Sequence, residues 1–420
     1  MSERKLEDWL AGYLDYTKNT EPPLAFHIWV AISTISAALE RRCYMRWGHS
    51  QIFPNQYIVL IGPSGQSRKG EAINLARPFI DHIGIVTGSQ SIIREALIKK
   101  LKESTAPFQS ASGDTKFQSA LTIISEELTV FLGQKDTRLL GDMTDWYDSR
   151  DEWTYETKHQ GVDRVTGVCV NLLGATAPDW LPSILPNEAV GGGWTSRVIF
   201  VVESYKGKVV SNPNLFSIDT ELKKDLEHDL EQIHLLRGRF EFSDEALAAY
   251  VSWYEAQERG IKKGIYPVPD PKFSGYVSRR ATHIKKVAMA LSASRGDDLI
   301  ITLEDFRRAQ MVLETAEKKM TRAFTGLGRA KFSDLTDAVL QYIRRRRKVR
   351  RSTLLQETYR DIDMWTLEQI ERVLEQMKMI KLIVLNDDRD VEYVYVGPTT
   401  EEAEPPDPDM PAEEQTNTQG

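Results

Sequence analysis

The alternation of apolar and polar positions predicts a helical start to the chain. Apolar residues recur at helical spacing near the N terminus and form one stripe: Leu6, Trp9, Leu10, Tyr13 and Leu14. The turn TEPP at residues 20–23 separates this helix from a second, largely apolar helix that begins at Leu24 and ends near Arg41. Residues 1–55 are therefore predicted to form a helical N-terminal cap.

Four short apolar runs predict the strands of an α/β core over residues 56–205. They are YIVLI (57–61), ALTIIS (120–125), VCVNLLG (168–174) and RVIFVVE (197–203). Each run is apolar at consecutive positions, which is typical of strands in a parallel sheet covered by helices on both faces. Residues 106–120 and 154–163 are polar and contain glycine, so we expect loops or hairpins there.

The pattern turns helical after residue 205 and predicts a helical extension, residues 206–328, packed on the core. Ser243 is placed to cap one helix that ends near Gly260, and Thr302 is placed to cap another, with Asp305 three residues later. A linker then leads to residues 329–397, whose predicted order of three helices and two strands is typical of a winged helix-turn-helix.

The last 23 residues, 398–420, are rich in Pro, Glu and Asp and are predicted to be disordered. This tail carries seven acidic residues and no Lys or Arg, whereas the rest of the chain has 54 acidic and 54 basic residues. The net charge of −7 therefore says little about partners. Local charge matters more, and the densest basic run is RRRRKVRR at residues 344–351.

The composition is that of an ordinary globular protein, with 41% hydrophobic and 27% charged residues among 420. The two cysteines, Cys43 and Cys169, fit a reducing compartment and give neither a disulfide framework nor a cysteine-rich metal module. The charged N terminus does not resemble a secretory signal, and the longest apolar run, 28–39, is too short to span a bilayer. We expect a cytoplasmic protein without a membrane partner, in the host cytoplasm if a phage encodes it.

The segment after the first core strand has the layout of a phosphate-binding loop with unusual spacing. Its candidate phosphate-binding residues are Gly62, Pro63, Ser64, Gly65, Gln66, Ser67, Arg68, Lys69 and Gly70. The usual pattern, G-x-x-x-x-G-K-[ST], places Arg68 at the lysine position. A loop one residue longer assigns that role to Lys69 and leaves Gly70 where a Mg²⁺-binding hydroxyl is usual, so Ser64 or Ser67 would have to compensate.

We favour Lys69, because the planar guanidinium group of Arg68 is bulkier than an ammonium group. The alternative is an ordinary glycine turn with two exposed cations.

Acidic and polar residues follow the other predicted strands. Glu126 and Glu127 come after the second strand, where Glu126 is the candidate ligand of Mg²⁺ and Glu127 the candidate activator of water. Two acids at a helix start are also common for dipole reasons alone. The third strand ends in polar residues, Asn171 and Thr176, and the latter is a candidate γ-phosphate sensor. Arg197 is a candidate arginine finger toward a neighbouring subunit, or merely a cation at a strand start.

The order of these blocks resembles the P-loop proteins of phages and mobile elements, which are related to hexameric replicative helicases and primase-helicases. Many members of that family are known only as a domain of unknown function. The blocks, between about Glu21 and Lys318, are TEPPLAFHIWVAISTISAALERR, FPNQYIVLIGPSGQSRKG, IISEEL, LLGATAPDWL and GGGWTSRVIFVVE.

The resemblance implies a RecA/AAA+-like P-loop core that uses ATP and Mg²⁺. It supports Lys69 as the phosphate ligand, the acids at 126 and 127 as Walker B residues, Thr176 as a sensor and Arg197 as an arginine finger. Gly70 departs from the family pattern, in which Ser or Thr is usual.

The C-terminal region carries the candidate DNA-binding residues. They are Arg344, Arg345, Arg346, Arg347, Lys348, Arg350 and Arg351, which would make salt-dependent phosphate contacts. The third helix carries Glu368, Glu371 and Glu375, so base-specific readout by this helix looks weak. The alternative is a winged helix that binds protein and has a solvated charged turn.

The leading hypothesis is an ATP-hydrolysing, DNA-translocating motor of the replicative helicase type for phage or mobile-element replication. Its expected partners are single-stranded and possibly duplex DNA, further copies of the chain in a hexamer, and replication proteins recruited by the acidic tail. One alternative is an ATP-dependent replication initiator or helicase loader. Another is a non-enzymatic DNA-binding regulator with a degenerate P-loop fold.

Overall fold

The chain divides into two compact units, residues 1–327 and 328–420. The computed structural model describes residues 3–89, 91–133, 136–157, 161–181, 185, 192–324, 333–358, 362, 364–385 and 390–397. Residues 326–332 of the predicted linker at 326–334, residues 387–389 of the predicted turn at 387–390, and the acidic tail lie outside these described residues. The predicted divisions of the first unit at residues 55 and 205 stay predictions, and one continuous hydrophobic core extends from Trp9 to Phe324.

The first unit is a mixed α/β fold. Its helices are α1 (Trp9–Thr17), α2 (Leu24–Leu39), α3 (Lys69–His82), α4 (Arg94–Glu103), α5 (Leu128–Leu132), α6 (Thr137–Tyr147), α7 (Thr220–Leu235), α8 (Asp244–Lys262), α9 (Ser274–Arg295) and α10 (Leu303–Met320). Its strands are β1 (Cys43–Trp47), β2 (Ser50–Ile52), β3 (Tyr57–Ile61), β4 (Thr105–Gln109), β5 (Thr115–Ser125), β6 (Glu152–Thr157), β7 (Gly161–Thr166), β8 (Val168–Thr176), β9 (Val198–Val202), β10 (Gly238–Phe242) and β11 (Ile300–Ile301).

The central sheet has the strand order β4-β5-β8-β3-β9. All its neighbouring strands are parallel except β4, which pairs antiparallel with β5. Every residue of β3, β8 and β9 is buried, as expected for strands covered on both faces. The predicted parallel sheet is therefore confirmed. Its register aligns Ile61 with Thr176 and with Val202, so the carboxyl ends of three strands meet at one edge.

Two smaller β elements complete the first unit. Strands β11-β10-β1-β2 form a second sheet, and β6 pairs with β7 as a hairpin. The hairpins β4–β5 and β6–β7 occupy the segments that were predicted to be loops or hairpins.

Capping residues set the ends of several helices. The hydroxyl of Ser243 accepts a hydrogen bond from the backbone N–H of Ala246, and Thr302 with Asp305 forms a reciprocal capping box. Both predicted caps are therefore confirmed. The predicted end at Gly260 is wrong, because α8 continues to Lys262. None of the helices in the described parts of the chain is long and apolar enough to cross a bilayer.

The second unit has its own small hydrophobic core, which includes Val339, Ile343, Leu367, Ile370 and Tyr393. Its elements are α11 (Ser333–Arg346), β12 (Lys348–Arg350), α12 (Arg351–Thr358), α13 (Met364–Gln376), β13 (Ile380–Val384) and β14 (Val391–Tyr395). The three strands form an antiparallel sheet in the order β12-β14-β13. The predicted order of three helices before two strands is therefore incomplete, because part of the basic run forms a strand between the first two helices.

The buried imidazole of His283 predicts acid sensitivity of the first unit. Its Nε2 lies 3.0 Å from the carbonyl oxygen of Ser196 and its Nδ1 3.2 Å from the hydroxyl of Tyr147, and burial lowers the pKa of His283 to about 3. A histidine in the unfolded chain has a pKa near 6.5. Between about pH 6.5 and pH 3 this side chain is therefore protonated in the unfolded chain and neutral in the folded chain. Stability is therefore full above pH ~6.5 and falls toward pH 3, by up to ~1.4 kcal/mol per pH unit for this group.

We expect His283→Gln to flatten this pH dependence in urea titrations of the unfolding free energy. His49→Gln, which makes the same substitution at an exposed histidine, is the control. Parallel curves for wild type and His283→Gln would contradict the assignment.

Candidate functional site

The segment Gly62–Gly70 connects β3 to α3 by a tight turn. A Cβ atom at Gly62 would lie 2.3 Å from the carbonyl oxygen of Glu203 and 2.3 Å from Oγ of Ser67, so the position has no room for a side chain. Gly65 has a φ of +73°, a conformation that favours glycine. The turn thus requires glycine at position 62 because of packing and favours glycine at position 65 because of backbone conformation.

Lys69 is the first residue of α3, and its side chain folds back into the turn. Its Nζ donates hydrogen bonds to the carbonyl oxygens of Gly62 at 2.5 Å and Pro63 at 3.2 Å. Burial lowers the pKa of the Lys69 ammonium group, and the negative charge of Glu127 partly opposes that shift. The ammonium group therefore lies within the turn, close to the N terminus of a helix.

Arg68 points to a different part of the protein. Its backbone is left-handed, with φ 55°, and its Nε donates to Glu21 at 2.7 Å. The same carboxylate accepts hydrogen bonds from Lys206 at 2.8 Å and from the backbone N–H of Val210 at 3.1 Å. The hydrogen bonds from Lys206, Val210 and Arg68 lower the pKa of Glu21 to about 2. Of the two cations that the sequence offered, only Lys69 lies inside the turn.

Glu126 follows β5 and contacts one face of α3. Its Oε2 accepts a hydrogen bond from Nδ2 of Asn74 at 3.0 Å, and its Oε1 lies 3.5 Å from Nη2 of Arg77. A Cβ atom at Gly70 would lie 3.0 Å from the same Oε2. Gly70 therefore leaves the space into which the carboxylate reaches.

Sequence reasoning missed Asn74 and Arg77. The only signal for them was their spacing of four and seven residues from Gly70, which places all three on one face of a helix.

The effect of a side chain at position 70 on the unfolding free energy should depend on the length of the acidic side chain at position 126. We expect Gly70→Ser to displace the carboxylate from Asn74 and Arg77, at a cost of ~0.5–1.5 kcal/mol in unfolding free energy. In a Glu126→Asp background the shorter acid leaves room, so the same substitution should cost less by a similar amount. The gain in helix propensity on replacing glycine is common to both backgrounds and cancels in the double-mutant cycle. Equal costs in the two backgrounds, measured by urea denaturation, would refute this coupling.

Glu127 is exposed and lies on the open side of the turn. It precedes α5 at the N-cap position, and its Oε1 accepts a hydrogen bond from the hydroxyl of Thr129 at 2.9 Å. Its charge acts on Lys69, as the pKa of that lysine reports. The two neighbouring acids thus diverge: Glu126 contacts α3, whereas Glu127 is exposed to solvent near the half-buried Lys69.

The two polar residues of β8 have different surroundings. Thr176 is fully buried at the end of the strand, and its carbonyl oxygen accepts a hydrogen bond from the backbone N–H of Gly62 at 3.3 Å. Asn171 lies earlier in the strand, where its side chain bonds the backbone N–H of Gln56 and the carbonyl oxygen of Ser33. Thr176 therefore adjoins the turn through its backbone, and Asn171 holds α2 against the sheet.

Arg197 is buried in its own chain, contrary to the expectation of a side chain that reaches a neighbouring subunit. It is 5% exposed, and it donates to Asp148 at 2.6 Å and to the carbonyl oxygen of Gly193 at 2.7 Å. Asp148 also lies 3.6 Å from Arg279 of α9. The predicted hexamer depended on Arg197 acting across an interface, so this arrangement removes that support.

The basic run of the second unit is divided among three elements. Arg344, Arg345 and Arg346 end α11, Lys348 and Arg350 lie in β12, and Arg351 begins α12. Arg347 between them has a left-handed backbone, with φ 62°.

Arg351 and Arg346 form ion pairs within the second unit. Arg351 pairs with Glu371 at 2.5 Å, and Glu371 also accepts a hydrogen bond from the hydroxyl of Tyr393. Arg346 pairs with Glu357 at 3.0 Å. Arg351 therefore holds α12 to α13, and its predicted phosphate contact stays a prediction. Glu371 is buried by this pair, whereas Glu375 is exposed on α13.

Among the described residues, no group of three or more His, Cys, Asp or Glu side chains is arranged to hold a metal ion. Glu126 and Glu127 are the two predicted site acids, and both lie close to the Gly62–Gly70 turn. Comparison with known proteins gives no match, either to a protein-family model or to a curated protein.

Proposed function

We propose that the first unit binds and hydrolyses ATP at the Gly62–Gly70 turn. The observation that carries the proposal is the Lys69 ammonium group inside a glycine turn at a helix N terminus, with an exposed carboxylate, Glu127, beside it. Backbone N–H groups at such a terminus face an anion, and a lysine neutralises phosphate charge. This arrangement supports a RecA/AAA+-like P-loop core, in which ligands bind at the carboxyl ends of parallel strands.

The two acids have separate roles in this proposal. Glu127 activates the water that attacks the terminal phosphate, either by accepting its proton or by orienting it. This carboxylate is exposed and forms no ion pair with a cation among the described residues, so it is free to contact water. Thr176 fixes the end of β8 against Gly62 and so helps shape the turn. Lys69 exchanges its two carbonyl partners for phosphate oxygens when the nucleotide binds.

Glu126 fits a role as ligand of Mg²⁺. Mg²⁺ prefers oxygen ligands and is usually bound by one or two carboxylates together with substrate phosphates. The carboxylate of Glu126 lies beside Gly70 at the start of α3, where a hydroxyl-bearing side chain is usual. When bound, the ion would neutralise charge on the phosphates. Asn74 and Arg77 hold this carboxylate against the helix.

We propose further that ATP hydrolysis drives movement along DNA, as in replicative helicases of phages or mobile elements. The helix and strand order of the second unit supports a winged helix with DNA as its partner, and the exposed cations of the basic run include Arg345, Arg347 and Lys348. The side chain of Arg197, bound within its own chain, favours a second candidate, an initiator or helicase loader in which unwinding is minor.

The decisive experiment measures ATP hydrolysis by the purified protein with and without single-stranded DNA. Stimulation by single strands is expected for a motor, and footprints at discrete duplex sites in its own replication region are expected for an initiator. If calorimetry detects no ATP binding, the enzymatic proposal fails and a DNA-binding regulator is favoured.

A further inference from the structure

A basic cleft lies at the opposite edge of the central sheet from the Gly62–Gly70 turn. It has a volume of about 240 Å³ and is lined by residues that follow α2, by the β4–β5 hairpin and by the start of β10. Lys116, near the start of β5, precedes Glu126 by ten residues along one strand. At ~3.3 Å per residue this separation is about 30 Å, so the cleft and the turn cannot share one small ligand.

The charged side chains that line the cleft are all cationic: Arg41, Arg42, Lys116 and Arg239. Three acids beside it pair with three of these cations: Asp151 with Arg41, Glu40 with Arg42, and Glu241 with Arg239.

Lys116 is exposed and makes no ion pair or hydrogen bond with the described residues. Arg237, next to the lining residue Gly238, adds a further cation without a carboxylate partner in the described chain. Asp114, which accepts a hydrogen bond from the lining residue Ser112, is a fourth acid beside the cleft. Five cations thus face four acids, and the region keeps a surplus of one positive charge, which favours an anion.

Aromatic side chains line the same cleft. Phe53 lies beneath the guanidinium group of Arg41, whose Cζ is 4.2 Å from the ring centroid. Tyr44 and Phe108 are half-buried, so part of each ring faces solvent. Ser110 and Ser112 also line the cleft, and the hydroxyl of Ser112 donates a hydrogen bond to Asp114 at 2.6 Å. Cations beside partly exposed rings are the combination that holds the phosphate and the base of a nucleotide.

We propose that this cleft binds one nucleotide unit, with its phosphate on Lys116 and Arg239 and its base against Phe108 or Tyr44. The unit belongs either to a single strand of nucleic acid or to a free mononucleotide. The site is separate from the proposed ATP site, and its test requires no ATP.

The test uses the full chain and two probes, a short fluorescein-labelled oligothymidylate and thymidine 5′-monophosphate. Lys116→Glu with Arg239→Glu reverses two exposed rim charges. The matched control, Lys262→Glu with Lys263→Glu, makes the same charge change at two exposed lysines at the end of α8.

For a strand, we expect the rim variant to reduce the slope of log K against log salt concentration by about 0.7, since a phosphate contact to a single strand contributes roughly that much. Phe108→Ala should weaken binding roughly tenfold with little change of slope. For a free nucleotide, calorimetry should detect thymidine monophosphate binding that the rim variant loses.

Two results would overturn the proposal. One is equal weakening by the rim variant and the control, which would indicate only a general charge effect. The other is the absence of binding of both probes to the wild-type protein. Neither result would contradict the ATPase proposal, because ATP hydrolysis is proposed to occur at the opposite edge of the sheet.

Discussion

Replacing Lys69 with alanine should reduce ATP hydrolysis by roughly a hundredfold to a thousandfold, the usual cost of removing one preorganised electrostatic contact to the reacting group. The ammonium group already lies in the turn, bound to the carbonyl oxygens of Gly62 and Pro63. It is therefore held where phosphate oxygens would arrive. The measurement is steady-state phosphate release at saturating ATP, with and without single-stranded DNA.

The neighbouring cation supplies a matched control. Arg68→Ala removes the same charge one residue earlier, but Arg68 is 45% exposed and binds Glu21 rather than the turn. Exposed ion pairs contribute ~0–1 kcal/mol, so we expect a change of at most about fivefold. Equal losses in the two variants would contradict the assignment of the phosphate contact to Lys69 alone. A larger loss in Arg68→Ala would reverse the assignment.

Glu127→Gln should preserve ATP binding and lower turnover by ~10²–10⁴-fold, the range that general base catalysis contributes. The carboxamide keeps the shape of the side chain, and the acceptor bond to Thr129 can be retained through its oxygen. It cannot take up a proton at neutral pH. Calorimetry gives the ATP affinity, and single-turnover hydrolysis gives the chemical rate.

Glu126→Gln distinguishes the two acids. Because Glu126 faces Gly70, Asn74 and Arg77, we expect its carboxamide to raise the Mg²⁺ concentration required for hydrolysis. Unchanged turnover in Glu127→Gln, or the same Mg²⁺ effect in both variants, would contradict the division of roles between them.

Local sequence patterns predicted which helices and strands form more accurately than they predicted the residues at which those helices and strands begin and end. The strand at 57–61 was predicted to the residue, and the parallel sheet followed from runs that are apolar at consecutive positions. Strand β5 begins five residues before the predicted 120–125 run, because its early residues are exposed and pair with β4 at the edge of the sheet. Helix α1 begins at Trp9, capped by Asp8, although the apolar stripe starts at Leu6.

The residue types of the candidate site were predicted from the sequence, whereas only some of the contacts between those residues were. Glu21 binds Arg68, Asn74 binds Glu126, and Asp148 binds Arg197, across sequence separations of 47, 52 and 49 residues. Such pairs form only when the sheet brings distant segments together, so no local pattern reports them. The partner of Arg197 was missed for this reason, because Asp148 at the end of α6 is distant in sequence, and the role of Arg197 as an arginine finger stays a prediction.

The two glycines of the turn differ in what an engineer can change. Gly62 is enclosed by the carbonyl oxygen of Glu203 and by Ser67, so no amino-acid substitution at that position is compatible with the present backbone. Gly65 has open space around its Cα and is restricted only by the sign of φ. Asparagine tolerates that conformation better than other side chains, so a randomised library should recover asparagine at 65 and glycine alone at 62.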